Sequence, residues 1–441
     1  MNRSSHRLAG TLAGTAFTLA ASVSVAATPS LDEMWKMIQA QQRTIEQLQV
    51  RLEAAETRAA AATERAAAAD RRTETAAAAI EAIGAAQASA APAQASRTAM
   101  GGYGELHYNN LDNDGTGADV DQVDMHRFVL YVSHRFSETM RFFSELEVEH
   151  AVAGADADGE VEVEQAWVEL DLAPSHHLRA GLDVLPLGII NTIHEPTTFY
   201  GVERNKVEAE IIPTTWWEAG IGANGELAPG WNYDVVLHSG LAVPTAGGSA
   251  FRPRSGRGKV SEATDRAAAV TARLRYTGIP GLELAVAGQY QSDITGTADA
   301  ADIDATLLET HLDWRHESGF GLRALYARWD LGSDGAFRPE AVHAGTLEGW
   351  YVEPAFQFAL PAGTLPGRAG VFARFSRWDA INGRGALGAG LDYRTYEQTA
   401  LGVNFWPHEN IVFKFDAQWE AADGTVSGEF DGVNVGVGYN F

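Results

Sequence analysis

A chain of 441 residues with no cysteine and a formal net charge of −25 excludes disulfide frameworks and Cys-based zinc or redox chemistry. Lacking a basic footprint, it also excludes nucleic acid as a partner. The length calls for more than one unit, and 45 Gly with 11 Trp, 12 Tyr and 18 Phe suit a sheet-rich protein with many turns.

Residues 1–27 read as a secretory signal peptide. Arg3, His6 and Arg7 form a basic start, Leu8 to Val25 is uncharged, and Val25-Ala26-Ala27 offers small residues where a signal peptidase cuts. Residues 31–83 carry eight unbroken heptads. The a positions are Leu31, Ile38, Ile45, Leu52, Ala59, Ala66, Thr73 and Ile80; the d positions are Met34, Gln41, Leu48, Ala55, Ala62, Ala69, Ala76 and Ile83. This predicts an α-helical coiled coil about 80 Å long. Its Ala-rich middle buries little per layer, so self-association is expected to lean on the unit that follows. Residues 84–101, with Ala, Ser, Gln and Pro92, read as a linker.

From 102 to 441 the periodicity is two. Val433, Val435, Val437, Tyr439 and Phe441 alternate with Asn434, Gly436, Gly438 and Asn440; Ile411, Phe413, Phe415, Ala417 and Trp419 alternate with Lys414, Asp416 and Gln418. A soluble sandwich also alternates. Here about sixteen segments have the roughly ten-residue length of a tilted membrane strand, and many end in aromatics. They are 102–109, 124–136, 140–150, 161–172, 177–184, 217–223, 231–239, 269–276, 282–291, 306–315, 320–329, 347–358, 367–378, 393–406, 410–419 and 430–441. The connections alternate short and long, as short periplasmic turns and long external loops do in outer-membrane barrels. An all-β transmembrane barrel of about 16 antiparallel strands is therefore predicted, with the coiled coil in the periplasm of a Gram-negative cell. Terminal Phe441, ending an alternating strand, fits the last strand of such a barrel. Past the N-terminus no apolar run approaches the roughly 20 residues of a membrane-crossing helix.

The chain resembles the phosphate-selective porin family (porins O and P) over the whole predicted barrel. The residues that carry the likeness are Glu164-Gln165-Ala166-Trp167-Val168-Glu169-Leu170, Arg179-Ala180-Gly181-Leu182, Pro186 to Asn191, His194 to Asn205, and Ile211 to Trp216. The resemblance implies a sixteen-stranded trimeric outer-membrane porin, and the coiled-coil preface resembles that of related porins proposed to pass dicarboxylates or sugars. The family's anion-binding members owe their selectivity to a basic lining. Residues 101–441 here depart from that, with 49 Asp and Glu against 23 Lys and Arg.

Selectivity in a pore comes from charges at a constriction. The strand parity nominates Arg127, Arg179, Arg273, Arg275, Arg323, Arg368, Arg374, Arg394 and Lys414 as basic pore liners. It nominates Glu105, Glu145, Glu147, Glu169, Glu309, Asp313 and Asp416 as acidic ones. The competing role for each is a wall charge paired across strands. Loop 185–216 is the expected constriction, because an external loop with Ile189, Ile190, Ile193, Phe199, Tyr200, Ile211 and Ile212 has to be buried somewhere. It carries Glu195, Glu203, Arg204, Lys206, Glu208 and Glu210, with Arg204 and Lys206 expected to face permeant anions. The acidic loops, Asp112, Asp114, Asp119 and Asp121 and then Asp156, Asp158 and Glu160, are expected to form a solvated rim; divalent cations bridging them to lipopolysaccharide is the alternative.

No G-x-S-x-G elbow and no H-E-x-x-H spacing occurs, so an enzyme is not expected, and neither is a resident metal or cofactor. The expected function is passive diffusion of small hydrophilic solutes or ions (ion transport), with outer-membrane lipid, lipopolysaccharide and like copies as partners. A tether between outer membrane and periplasm is the alternative role.

Overall fold

The computed structural model describes Trp35, Gln39, Gln42 and residues 97–441 apart from 115–117, 153–158, 261–262, 264–267, 297–301, 335–337, 362–365, 383–391 and 424–428. The chain separates into two units, Met1–Ala88 and Ser89–Phe441. In the first, Trp35, Gln39 and Gln42 are helical. The expected signal peptide, the a and d positions of the heptads and residues 84–96 of the linker lie outside the described residues.

The second unit is a closed barrel of sixteen antiparallel strands among the described residues. In chain order these are β1 (Thr98–Asn113), β2 (Val120–Arg135), β3 (Met140–Glu149), β4 (Val161–Ala173), β5 (His176–Val184), β6 (Trp217–Ala228), β7 (Trp231–His238) and β8 (Ala269–Ile279). Then follow β9 (Leu282–Gln291), β10 (Ala305–Arg315), β11 (Phe320–Leu331), β12 (Thr346–Ala359), β13 (Arg368–Asn382), β14 (Asp392–His408), β15 (Ile411–Ala422) and β16 (Phe430–Asn440). Each strand pairs with its sequence neighbours, and β1 closes on β16. At the seam Gly102 and Phe441 exchange backbone hydrogen bonds of 2.9 and 2.8 Å. The Phe441 ring stacks on Phe128 with centroids 5.9 Å apart.

The alternation becomes an inside and an outside. On β10, Ala305, Leu307, Glu309, His311 and Asp313 are buried, whereas Thr306, Leu308 and Thr310 are exposed. Val286 and Leu308 are each 54% exposed, and Phe375, Leu401, Phe413, Phe415 and Trp419 join them in an apolar belt. Such a belt would drive association in water, and lipid tails satisfy it. No described helix is long and apolar enough to cross a membrane. One rim carries tight turns and the other carries the long connections, notably L3 (185–216) and L4 (239–268).

Several strands run past their expected ends, and two cases show why. β1 begins at Thr98 rather than Gly102, because Thr98 and Ala99 pair with His134 and Ser133 of β2. β6 continues past Ala223 through Asn224-Gly225-Glu226, a stretch with turn residues, because Asn224, Gly225 and Glu226 pair with Asp234, Tyr233 and Asn232. Backbone pairing decides both, and side-chain pattern does not report it.

The interior is not uniformly polar. Leu185, Leu187, Ile189, Val207, Ile211, Ile212 and Trp216 of L3 pack with Leu241, Val243 and Phe251 of L4 and with inward-facing Leu307, Leu325, Trp329, Leu347 and Tyr351. One side of the lumen, along β10 to β12, is thus filled by an apolar core that the two loops bring in.

Candidate functional site

L3 is folded around its own polar side chains. Asn191 closes its neck: its amide donates to the carbonyls of Leu185 (2.8 Å) and Trp216 (3.0 Å), and its oxygen accepts from the Trp216 amide at 2.7 Å. Glu208, on the helical turn Val207–Ile211, is fully buried. Its carboxylate accepts from the amides of Ile189 (2.9 Å) and Ile190 (2.6 Å) and from the Tyr351 hydroxyl at 2.7 Å. Burial pushes the Glu208 carboxyl pKa up, against the pull of the Tyr351 and Ile190 hydrogen bonds. Asn205 caps the same turn by accepting from the Glu208 amide at 2.9 Å.

The loop lies inside the barrel and is bonded to the wall around most of its circumference. Buried carbonyls of an irregular segment need donors, and the wall supplies them from arginines whose forked guanidinium can serve two acceptors. Arg127 donates to the carbonyl of His194 (2.6 Å) and to Glu105 (2.5 Å). Arg323 donates to the Thr198 carbonyl (2.9 Å) and to Asp313 (3.2 Å). Arg374 donates to the Tyr200 carbonyl (2.6 Å) and to Glu353 (2.7 Å). Lys414 sits 3.6 Å above the Phe199 ring. Asp416 accepts from the Val202 amide at 2.7 Å, Asn440 donates to Thr197 at 2.9 Å, and Trp329 donates to the Ile211 carbonyl at 2.8 Å. His107 and Asn109 contact Glu203 at 2.9 and 3.0 Å.

Glycines on the inner wall make the seat. A Cβ on Gly349 would lie 2.9 Å from Ile211, and one on Gly436 would lie 3.0 Å from Val202. A Cβ on Gly438 would collide with Pro196. L4 braces L3 from the other side: Arg252 bonds Glu210, Arg254 donates to the carbonyls of Ala209 (2.8 Å) and Thr214 (2.9 Å), and Arg257 donates to that of Thr215 (2.6 Å). Burial alone would raise the Glu210 pKa, but Arg252 and Arg254 outweigh it and hold the carboxyl below its ordinary range.

Cavities lie on both sides of L3. Toward the long-loop rim, a cavity of about 270 Å³ is lined by His107, Asp124, His126 and His150 and by Glu203, Arg204 and Lys206 of L3. Toward the tight-turn rim, one cavity of about 390 Å³ is lined by Arg179, Asp183, Asp234, Arg273 and Arg275 beneath Thr192 and Ile193. A second of about 390 Å³ is lined by Asp313, Arg315, Arg323, Glu353 and Arg368 beneath Thr197 to Tyr200.

The residues nominated from the sequence therefore fall into distinct settings. Arg127, Arg323, Arg374 and Lys414 lie against L3. Arg179 pairs with Glu169 and Asp183, Arg273 with Asp234, and Arg275 with Asp234 and Glu283. Arg394 on β14 shares the inward parity of Tyr396 and Gln398. Glu195 is half-buried, and its carbonyl accepts from Thr198. Arg204 donates to the Thr215 hydroxyl at 2.9 Å. Among the described residues neither Arg204 nor Lys206 has a carboxylate within ion-pair distance. Sequence reasoning missed Asn191, His194 and the structural weight of Glu208; the available signal was polar side chains inside an Ile-rich loop.

No protein-family model matches the chain. An uncharacterized protein of Aquifex aeolicus (strain VF5) is 34% identical over 242 residues, 54% of this chain and 52% of that protein. The chain thus spans about half the length of the curated relative it matches. Among solved structures, Salmonella typhi OmpF in complex with daunomycin has a TM-score of 0.50 at 14% identity, covering 78% of this chain and 97% of that one. The anion-selective porin from Comamonas acidovorans has a TM-score of 0.48 at 11% identity, covering 78% and 99%. At 14% identity, the likeness to OmpF is one of fold: a sixteen-stranded barrel of the porin type.

Proposed function

We propose that the chain is an outer-membrane channel for passive diffusion of small hydrophilic solutes and ions, with L3 as its constriction. The observation that carries this is the placement of L3: a loop bonded to the inner wall, with charged cavities above and below it. The apolar outer belt supports a bilayer setting, and the porin-type fold supports a channel rather than an enzyme. Assembly as a homotrimer, a contact with lipopolysaccharide at the acidic rim, and a periplasmic coiled coil belong to the same reading.

Within it, Arg204 and Lys206 are the selectivity groups of the outer cavity. Cations already held by a wall carboxylate present little net field to a passing ion, whereas among the described residues these two have no carboxylate within ion-pair distance. Their neutralisation in an Arg204→Ala, Lys206→Ala variant is expected to move the reversal potential in a KCl gradient toward cation preference. An unchanged potential refutes the assignment. A chain that conducts nothing in bilayers and admits no small sugar in liposome swelling refutes the channel.

A further inference from the structure

Three side chains from three separate segments converge beneath L3: Glu145 of β3, Glu164 of β4 and His194 of L3. They are 3%, 1% and 4% exposed. His194 Nε2 lies 3.7 Å from Glu145 Oε1 and 3.6 Å from Glu164 Oε2. Among the described residues neither Nε2 nor Glu164 Oε2 has a hydrogen-bond partner. The other imidazole nitrogen, Nδ1, lies 3.1 Å from the Asn191 carbonyl, an acceptor only, so it carries the hydrogen. That arrangement turns Nε2 toward the two carboxylates. A bond from the far ring nitrogen to a backbone carbonyl is how a metal-ligating histidine is oriented.

Charge points the same way. Glu105, Glu145, Glu147 and Glu164 are all buried together, and Arg127 reaches only Glu105 (2.5 Å) and Glu147 (4.0 Å). Gln165 donates to the other oxygen of Glu145. Glu145 and Glu164 are left with His194, at distances longer than the roughly 2.7–2.9 Å of a charge-assisted hydrogen bond. Buried carboxylates in this excess need a cation or a proton. A zinc ion with donors at about 2.1 Å and near-tetrahedral angles holds them about 3.4 Å apart, close to the two histidine–carboxylate spacings found, with all three donors within 4.8 Å of one another.

We propose that Glu145, Glu164 and His194 bind one divalent transition-metal ion of the zinc class, and that the ion fastens L3 to β3 and β4. Arg127 prepares the site by holding the His194 carbonyl at 2.6 Å. Two carboxylates and one imidazole suit zinc or manganese, and the fourth position is open to water or a solute. The site stands whether or not the barrel conducts.

The test uses the full chain, purified in detergent and stripped with a chelator. Titration with ZnCl₂ is followed by calorimetry, and CoCl₂ serves as a spectroscopic substitute. The expected result is one zinc per chain and visible cobalt d–d bands. His194→Ala and Glu164→Gln are expected to lose more affinity than the roughly 10–100-fold cost of an outer-shell change. Asp124→Asn, in a separate carboxylate–histidine cluster, is expected to keep the affinity. Binding unchanged in both site variants, or no stoichiometric binding by the native chain, overturns the proposal; the latter leaves a protonated His194 as the clasp. If the variants fail to fold, zinc-edge X-ray absorption of the native chain decides. One imidazole and two carboxylates on the zinc, with or without a water, support the site, and any other set of protein ligands overturns it.

Discussion

Replacing Glu208 by leucine removes the acceptor around which L3 is wound. Two backbone amides, of Ile189 and Ile190, lose their partner in a fully buried setting, and the Tyr351 hydroxyl loses its own. Each stranded buried donor costs about 1–3 kcal/mol. The Tyr351 hydroxyl can rotate toward another acceptor, so the two amides dominate and the loop is weakened by about 2–6 kcal/mol. Glutamine at this position is the informative control. Its carbonyl can still accept from both amides, while its amide donates to Tyr351, so about 1 kcal/mol is lost. The assay is limited trypsin digestion in detergent, read at Arg204 and Lys206, together with single-channel conductance. The native chain and Glu208→Gln are expected to resist cleavage and share one conductance level; Glu208→Leu is expected to be cut and to conduct in larger, noisier steps. A Glu208→Leu chain as resistant as the native one, with the same conductance, refutes the idea that this carboxylate holds the loop.

Other perturbations probe other layers of the structure. Arg374→Met leaves the buried Glu353 carboxylate and the Tyr200 carbonyl without their donor, and a loss of about 3–5 kcal/mol is expected in thermal unfolding. Adding Glu353→Leu should restore part of it; no restoration would show that the wall pair is not the cause. For the L3–L4 brace, the Glu210 carboxyl is held below its ordinary range, so its contribution is present above that range and is lost only as pH falls through the lowered value. The brace of the native chain should therefore hold between pH 7 and pH 4, leaving any change in its conductance over that range to other groups such as Glu208, whose carboxyl pKa burial raises. Arg252→Ala should return Glu210 toward the ordinary glutamate value of about 4.3 and loosen the brace by pH 4; matching profiles for the two chains would refute this. On the outer belt, Phe415→Arg, nearer the middle of β15, should cost about 2–4 kcal/mol in folding into liposomes, and inward-facing Gln418→Arg much less. Equal costs would mean that the belt does not face lipid.

Much of the barrel was legible because its determinants are local. Period-two alternation is a property of neighbouring residues, so Phe413, Phe415 and Trp419 announce an apolar face in any context, and alternating turn and loop lengths order the strands. Strand ends were less legible, since Thr98 and the Asn224-Gly225-Glu226 stretch are strand only because a partner strand lies opposite them. Parity also shows which side of the sheet Arg127, Arg323 and Arg374 occupy. It does not show what they meet there.

That was decided by the path of L3. Arg374 reaches the Tyr200 carbonyl across 174 residues, and Asn440 reaches Thr197 across 243. Gly436 and Gly438, which in the sequence are merely the small half of an alternating strand, are where Val202 and Pro196 need room. Glu145, Glu164 and His194 lie on three segments with no motif spacing between them. Alternation within a strand is dictated residue by residue, so sequence alone determined the barrel wall; what fills the lumen depends on donors, acceptors and cavities brought together from distant segments, and only the closed tertiary structure could decide it.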